Sequence, residues 1–262
     1  LLHHFGCHPV VFGEKTRAVH GDFVGEASLQ LEDSHPGAVA MFLPGALGDI
    51  NPKLNHRPVA ESKRALRSIG RQYAKAVERG VKVASPIVIP NIRSIRRGVR
   101  FGRVDWSREA IEARIHKLES MFARPGLTDE PHVGGKPPLM TRGMEFARLQ
   151  GLRSVLPSFR GARAPNPTVT LHGLKLGPVA FLGAGLELYH SLQAPLLRNT
   201  PHEVTWLVSL VGGMGYAPDQ AARKKAGYAA DFIPLICGEI PFSEVDVDLS
   251  RALRRLAHDL SA

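Results

Sequence analysis

The sequence predicts a mixed α/β domain, and three features lead there. Short apolar runs bounded by Gly and Pro, such as "AVAMFLP" at 38–44, read as buried strands. They alternate with longer stretches whose apolar residues recur at helical spacing, the pattern of mixed sheets with flanking helices. No internal repeat and no linker-like change of composition divides the 262 residues, so 1–262 is read as one domain.

The first element is a strand over 1–7, and after it Asp22 is placed to cap a helix running through Phe23, Ala27 and Leu31. The strand at 38–44 follows. Between 59 and 79, Leu66, Ile69, Tyr73 and Val77 recur with Lys and Arg on the other face, which marks an amphipathic surface helix. The run "IVIPNIRSIRRGVRFGRV" at 87–104 reads as extended with a proline break. Ser107 then caps a helix through Ile111, Ile115, Leu118 and Phe122. The Pro- and Gly-rich stretch 124–138 reads as a mobile loop, and 139–153 as a further helix. "TVTLHGLKLGPVAFLG" at 168–183 is a hairpin pattern. A short helix at 186–193, a strand at 203–211, a Gly-rich turn and a helix at 245–260 complete the chain.

With 44% hydrophobic and 22% charged residues, the balance is that of a folded globular protein rather than a disordered one. No window of 18 uninterrupted apolar residues points to a spanning helix. The chain opens at Leu1 inside a strand-like run; we expect further sequence upstream, and the compartment stays open. Cys7 and Cys237 lie far apart among apolar neighbours and read as small buried hydrophobes, not as a disulfide framework. A net charge of +10 is compatible with peripheral contact to anionic lipid headgroups. No nucleic-acid-binding motif accompanies it, so nucleic acid is not the expected ligand. No obligate protein partner is implied.

Four segments carry residues suited to chemistry. His8 stands before Pro9 at the end of an apolar run, so its backbone is biased toward extended geometry and its ring projects from a strand end. A neutral imidazole there suits zinc, although such a His is more often a satisfied structural residue. His3 and His4 fall on opposite faces by alternation and give no ligand pair. "GALGDINP" at 45–52 offers Gly45 and Gly48 for tight turns, Asp49 as a carboxylate and Asn51 as a donor, and reads equally as an Asx turn. In "LGAGLELYHSL" at 182–192, Glu187 is either a carboxylate favoured at a helix start or a metal ligand at the mouth of a sheet. "GGMGYAPD" at 212–219 does the same for Tyr216, with Tyr228 further on, though loop tyrosines commonly pack as rims. Arg93, Arg96, Arg97, Arg100 and Arg103 read as a solvated edge strand kept from pairing by charge, with an anionic headgroup as the less favoured use.

In chain order, "HHFGCHPVVFG", "VHGDFVGEAS", "AMFLPGALGDINP", "VAFLGAGLELYHSL" and "GGMGYAPDQAARKKAGY" resemble the neutral/alkaline non-lysosomal ceramidase family and its bacterial ceramidase-like relatives. The five motifs run from residue 3 to 228, and the weakest likeness lies at 85–165. The resemblance implies a ceramidase-like catalytic domain with zinc at strand ends, hydrolysing the N-acyl amide bond of ceramide or a related lipid amide in sphingolipid metabolism. It implies His8, Glu187 and Tyr216 as zinc ligands and Tyr228 as the tyrosine that steadies the tetrahedral oxyanion. Asp22 and Asp49 match family positions in supporting roles. A secreted or periplasmic location is what the family would imply.

This chain departs from the family pattern at several places. The family's further zinc histidine lies upstream of the His-Pro motif. Asn51 stands where ceramidases carry the serine of Gly-Asp-x-Ser-Pro, and an amide cannot attack a carbonyl. Leu186 replaces the Gly before the glutamate, and Ala229 the Glu after the second tyrosine. The expectation is a zinc-dependent amidohydrolase in which zinc-activated water attacks while Tyr228 and Asn51 steady the developing charge. The alternative is a catalytically degenerate relative that keeps the fold and binds a ligand.

Overall fold

The computed structural model describes residues 1–13, 16–55, 58–123, 142–161 and 165–262. The stretch expected as a mobile loop at 124–138 lies outside them. In the first part of the chain β1 (Leu2–Phe5) and β2 (Met41–Pro44) run parallel, with His4 opposite Leu43, and α1 (Asp22–Ser34) connects them. α2 (Val59–Val83) packs on α1, burying Phe23, Ala27 and Leu31 of one against Ala65 and Ala74 of the other. This βαβ unit carries both turn-rich motifs at the ends of its strands, where parallel sheets gather polar chemistry.

The second sheet has the order β3-β4-β5-β7, formed by β3 (Ile92–Arg100), β4 (Thr168–Leu176), β5 (Val179–Ala184) and β7 (Val204–Val208). β4 and β5 make the expected hairpin, turned at Gly177, whose φ of +56° favours a residue without Cβ. β3 is an edge strand, and Arg93, Arg96, Arg97 and Arg100 along it are exposed. Arg103 has left the strand: its side chain is 3% exposed and pairs with Glu239 at 2.8 Å. α3 (Arg108–Phe122) begins at Ser107, whose hydroxyl accepts from the Ala110 N–H. α4 (Arg142–Val155) packs beside α3 through Leu149 and Leu152.

β6 (Glu187–Leu188), α5 (Gln193–Leu197), β8 (Tyr216–Ala217), α6 (Gln220–Lys225), a π-helical turn at Tyr228–Phe232, α7 (Ile233–Ile236) and α8 (Val245–Ser261) complete the described elements. α8 repeats Leu249, Leu253, Leu256 and Leu260, and this stripe covers Leu171, Leu182 and Leu207 of the second sheet. That burial stabilises the fold at ~25 cal/mol per Å² of apolar surface removed from water. The two sheets are stitched by Ser209, whose N–H donates to the Pro44 carbonyl and whose hydroxyl donates to that of Gly45. His4 reinforces the join: it stacks on Trp206 and donates to the Leu207 carbonyl.

The helix expected at 186–193 is absent. The Glu187 N–H donates to the Gly215 carbonyl at 2.7 Å and β6 pairs with β8, so a tertiary ladder overrides local helical preference. Helical turns begin only at His190. The strands at 1–7 and 38–44 are shorter than expected and are not buried throughout. Helices cover one face of their two-stranded sheet and bury His3, while Leu2, Phe5 and Met41 stay exposed. Cys7 is buried as expected, but Cys237, just past α7, is exposed, and both are free thiols. Among the described residues no helix is long and apolar enough to cross a membrane.

Candidate active site

His8 lies three residues beyond the end of β1, and its N–H donates to the Ile50 carbonyl at 2.9 Å. That bond joins the His-Pro turn to the "GALGDINP" loop. The following residues are pinned by Asp22, which is 5% exposed and takes the N–H groups of Val11, Phe12 and Phe23 at 3.3, 3.1 and 2.8 Å. Asp22 adopts φ +52°, a left-handed conformation that these three bonds hold in place. Its role is therefore to fix the loop bearing His8.

Glu187 and Tyr216 are register partners across the parallel β6–β8 ladder. Gly48 brings the second loop against them: its N–H donates to the Leu188 carbonyl, and a Cβ there would stand 2.7 Å from the Glu187 carbonyl oxygen. Only glycine permits that approach.

These contacts bring the sequence-predicted residues together. The His8 Nε2 lies 2.9 Å from the Glu187 Oε2. The two are close without the alignment of a hydrogen bond, and that carboxylate oxygen is buried with no hydrogen-bond partner. The Tyr216 ring sits 6.4 Å from the His8 ring and 6.1 Å from the Tyr228 ring. Burial, and then the Glu187 carboxylate, push the Tyr216 phenol well above its ordinary range. The same two causes, in the same order, raise Tyr228.

A cavity of about 530 Å³ opens over this cluster, lined by His8, Asn51, Tyr216 and Tyr228, with Tyr189 and Lys225 beside them and small residues such as Ala229 and Ala230. Asp49 is placed differently. Its carboxylate accepts from the His190 N–H at 2.8 Å and pairs with the His190 ring, at the edge of the cluster and not on the cavity wall.

Sequence reasoning missed Tyr189, His190 and Lys225. Tyr189 stands two residues beyond Glu187, and an extended reading of that segment would have put both on one face. Nothing local separates Lys225 from an ordinary solvated lysine.

The donors fit a divalent cation of zinc's preferences. His8 supplies nitrogen, Glu187 an oxygen lacking any other partner, and Tyr216 a phenol oxygen. Among the described residues no three His, Cys, Asp or Glu side chains are grouped to hold a metal, so a three-donor set here requires the tyrosine.

The chain is similar in fold to neutral ceramidase from Pseudomonas aeruginosa, with a TM-score of 0.60 and 17% identity over 99% of this chain and 43% of that one. It is likewise similar to a ceramidase complexed with C2, with a TM-score of 0.64 and 16% identity over 99% of this chain and 44% of that one. At this identity the likeness is one of fold, and the chain spans less than half the length of these two structures. No family model and no curated protein matches the chain.

Proposed function

We propose that the chain belongs to a ceramidase-like, metal-dependent hydrolase that cleaves the N-acyl amide bond of a lipid amide. The observation that carries this reading is the convergence of His8, Tyr216 and Tyr228 on one cavity, with the Glu187 carboxylate against His8. The shared ceramidase fold supports it independently. Zinc held by these residues would supply a water of pKa roughly 7 and a Lewis acid for the amide carbonyl.

The chain's own residues do the rest. His8 and Glu187 are the strong donors and Tyr216 completes the set. Tyr228, whose phenol is protonated at neutral pH, donates to the amide oxygen as charge develops there. Asn51 is a second donor on the same wall, and a well-placed donor of this kind contributes about 3 kcal/mol to the transition state.

The test is metal analysis of the full-length protein together with hydrolysis of an acyl amide before and after chelation. We expect bound zinc, chelator-sensitive turnover, and loss of both in His8→Ala. Absence of zinc from the full-length protein, or a His8→Ala variant unchanged in metal content and turnover, overturns the reading. Zinc retained without turnover of any acyl amide favours the non-catalytic relative, for which Asn51 and Ala229 are the substitutions to be expected.

A further inference from the structure

Behind the cavity wall stands the Glu187 carboxylate, against His8, and on the wall itself stands a cation. Lys225 is the Lys, Arg, Asp or Glu side chain among its lining residues, and among the described residues it has no ion-pair partner. Its side chain is exposed, and its backbone position is fixed by neighbours on the helix. Asp219 caps α6, its carboxylate accepting from the Ala222 N–H at 2.9 Å. Arg223 is drawn away to Asp246 of α8 at 2.6 Å and to the Pro218 carbonyl at 2.8 Å. With the helix so fixed, Lys225 faces the cavity that holds His8, Tyr216 and Tyr228. The chain then turns sharply at Ala226 (φ +47°) and Gly227 (φ +144°), and Tyr228 follows. The cation and the phenol are thus two ends of one short turn.

A neutral sphingoid headgroup has no use for that cation. Resting on the hydrolase reading above, we infer that the substrate is an N-acyl amino acid, a fatty-acyl amide whose amine half carries a carboxylate, and that Lys225 selects it. The remaining wall suits this division: Val10, Ala222, Ala229 and Ala230 are apolar and small. In the reaction the hydroxyl of water adds to the acyl carbon, the C–N bond breaks, and the departing nitrogen takes the remaining proton. The products are a fatty acid and an amino acid.

The experiment compares N-lauroylglycine with N-lauroylethanolamine, a neutral analogue of almost the same shape. With the zinc-loaded full-length protein, kcat/KM favours the glycine conjugate by more than about tenfold, a difference of ~1.4 kcal/mol in transition-state binding. Lys225→Gln brings the ratio to within about twofold, Lys225→Glu reverses it, and Lys225→Arg keeps it. In chelator-stripped protein, calorimetry shows tighter binding of N-lauroylglycine than of N-lauroylethanolamine, and Lys225→Gln removes the difference. Equal kcat/KM for the two amides overturns the inference. Should neither amide be hydrolysed, the hydrolase reading fails on its own and binding decides for Lys225: a preference lost in Lys225→Gln supports it, and equal affinities overturn it.

Discussion

Glu187 and Tyr216 face one another as a cross-strand pair in a ladder only two residues long. A carboxylate and a phenol so placed are set by backbone hydrogen bonds rather than by side-chain packing, which is a rigid way to present two oxygens. Glu187→Gln, which keeps shape and removes charge, should weaken zinc binding at least ~100-fold in a chelator competition assay. Tyr216→Phe should weaken it less, because burial and Glu187 already hold that phenol in its protonated form.

Asp22→Ala strips three backbone N–H groups of a common acceptor in a buried position. We expect a loss of about 3 kcal/mol in urea unfolding. Asp22→Asn should cost less, since its remaining oxygen still serves Val11 and Phe23, which share Oδ1, while Phe12 loses the Oδ2 acceptor. Both variants should also weaken metal binding, because the loop they release carries His8.

Gly48→Ala forces a methyl group to within 2.7 Å of the Glu187 carbonyl oxygen and 2.9 Å of the Tyr189 ring. Backbone cannot yield as a flexible side chain does, so the loop must move away from β6. A destabilisation of about 1–3 kcal/mol follows, measurable by thermal or urea unfolding.

Much of the fold was legible in the sequence because the relevant signals are local. Ser107 names its helix by capping it, the hairpin pattern at 168–183 becomes β4 and β5, and the helix read at 245–260 is α8. The Arg-rich strand was rightly read as an edge. What failed were the elements made by distant pairing. β6 and β8 are too short to show any period, so "LGAGLELYHSL" reads as helical, whereas its extended form comes from pairing of Glu187 with Tyr216 and the bond from the Glu187 N–H to the Gly215 carbonyl. Motif order drew attention to His8, Glu187, Tyr216 and Tyr228. It carried no information on Lys225 or on the Asp49–His190 pair, since each depends on how loops are brought together in space.

His3 and His4 supply a pH dependence. Burial lowers the pKa of both in the folded chain. The unfolded chain therefore binds more protons as pH falls below the ordinary histidine value of roughly 6.5. Stability contributed by these groups is complete above that value and is lost progressively below it, down to their folded-state pKa values. Urea unfolding at a series of pH values between about 7.5 and 5 should show this decline. His4→Gln, which keeps a donor within reach of the Leu207 carbonyl, should reduce it.

The single hydrogen bond from His8 to Ile50 has a consequence for anyone dissecting this protein by mutation. Ile50 is the immediate neighbour of Asn51, so a replacement that shifts this short loop will tug on the imidazole at the same time. On the metal-dependent reading proposed above, assays scored by turnover alone would not separate a lost Asn51 donor from a displaced His8. Weighing the metal in every variant separates the two causes.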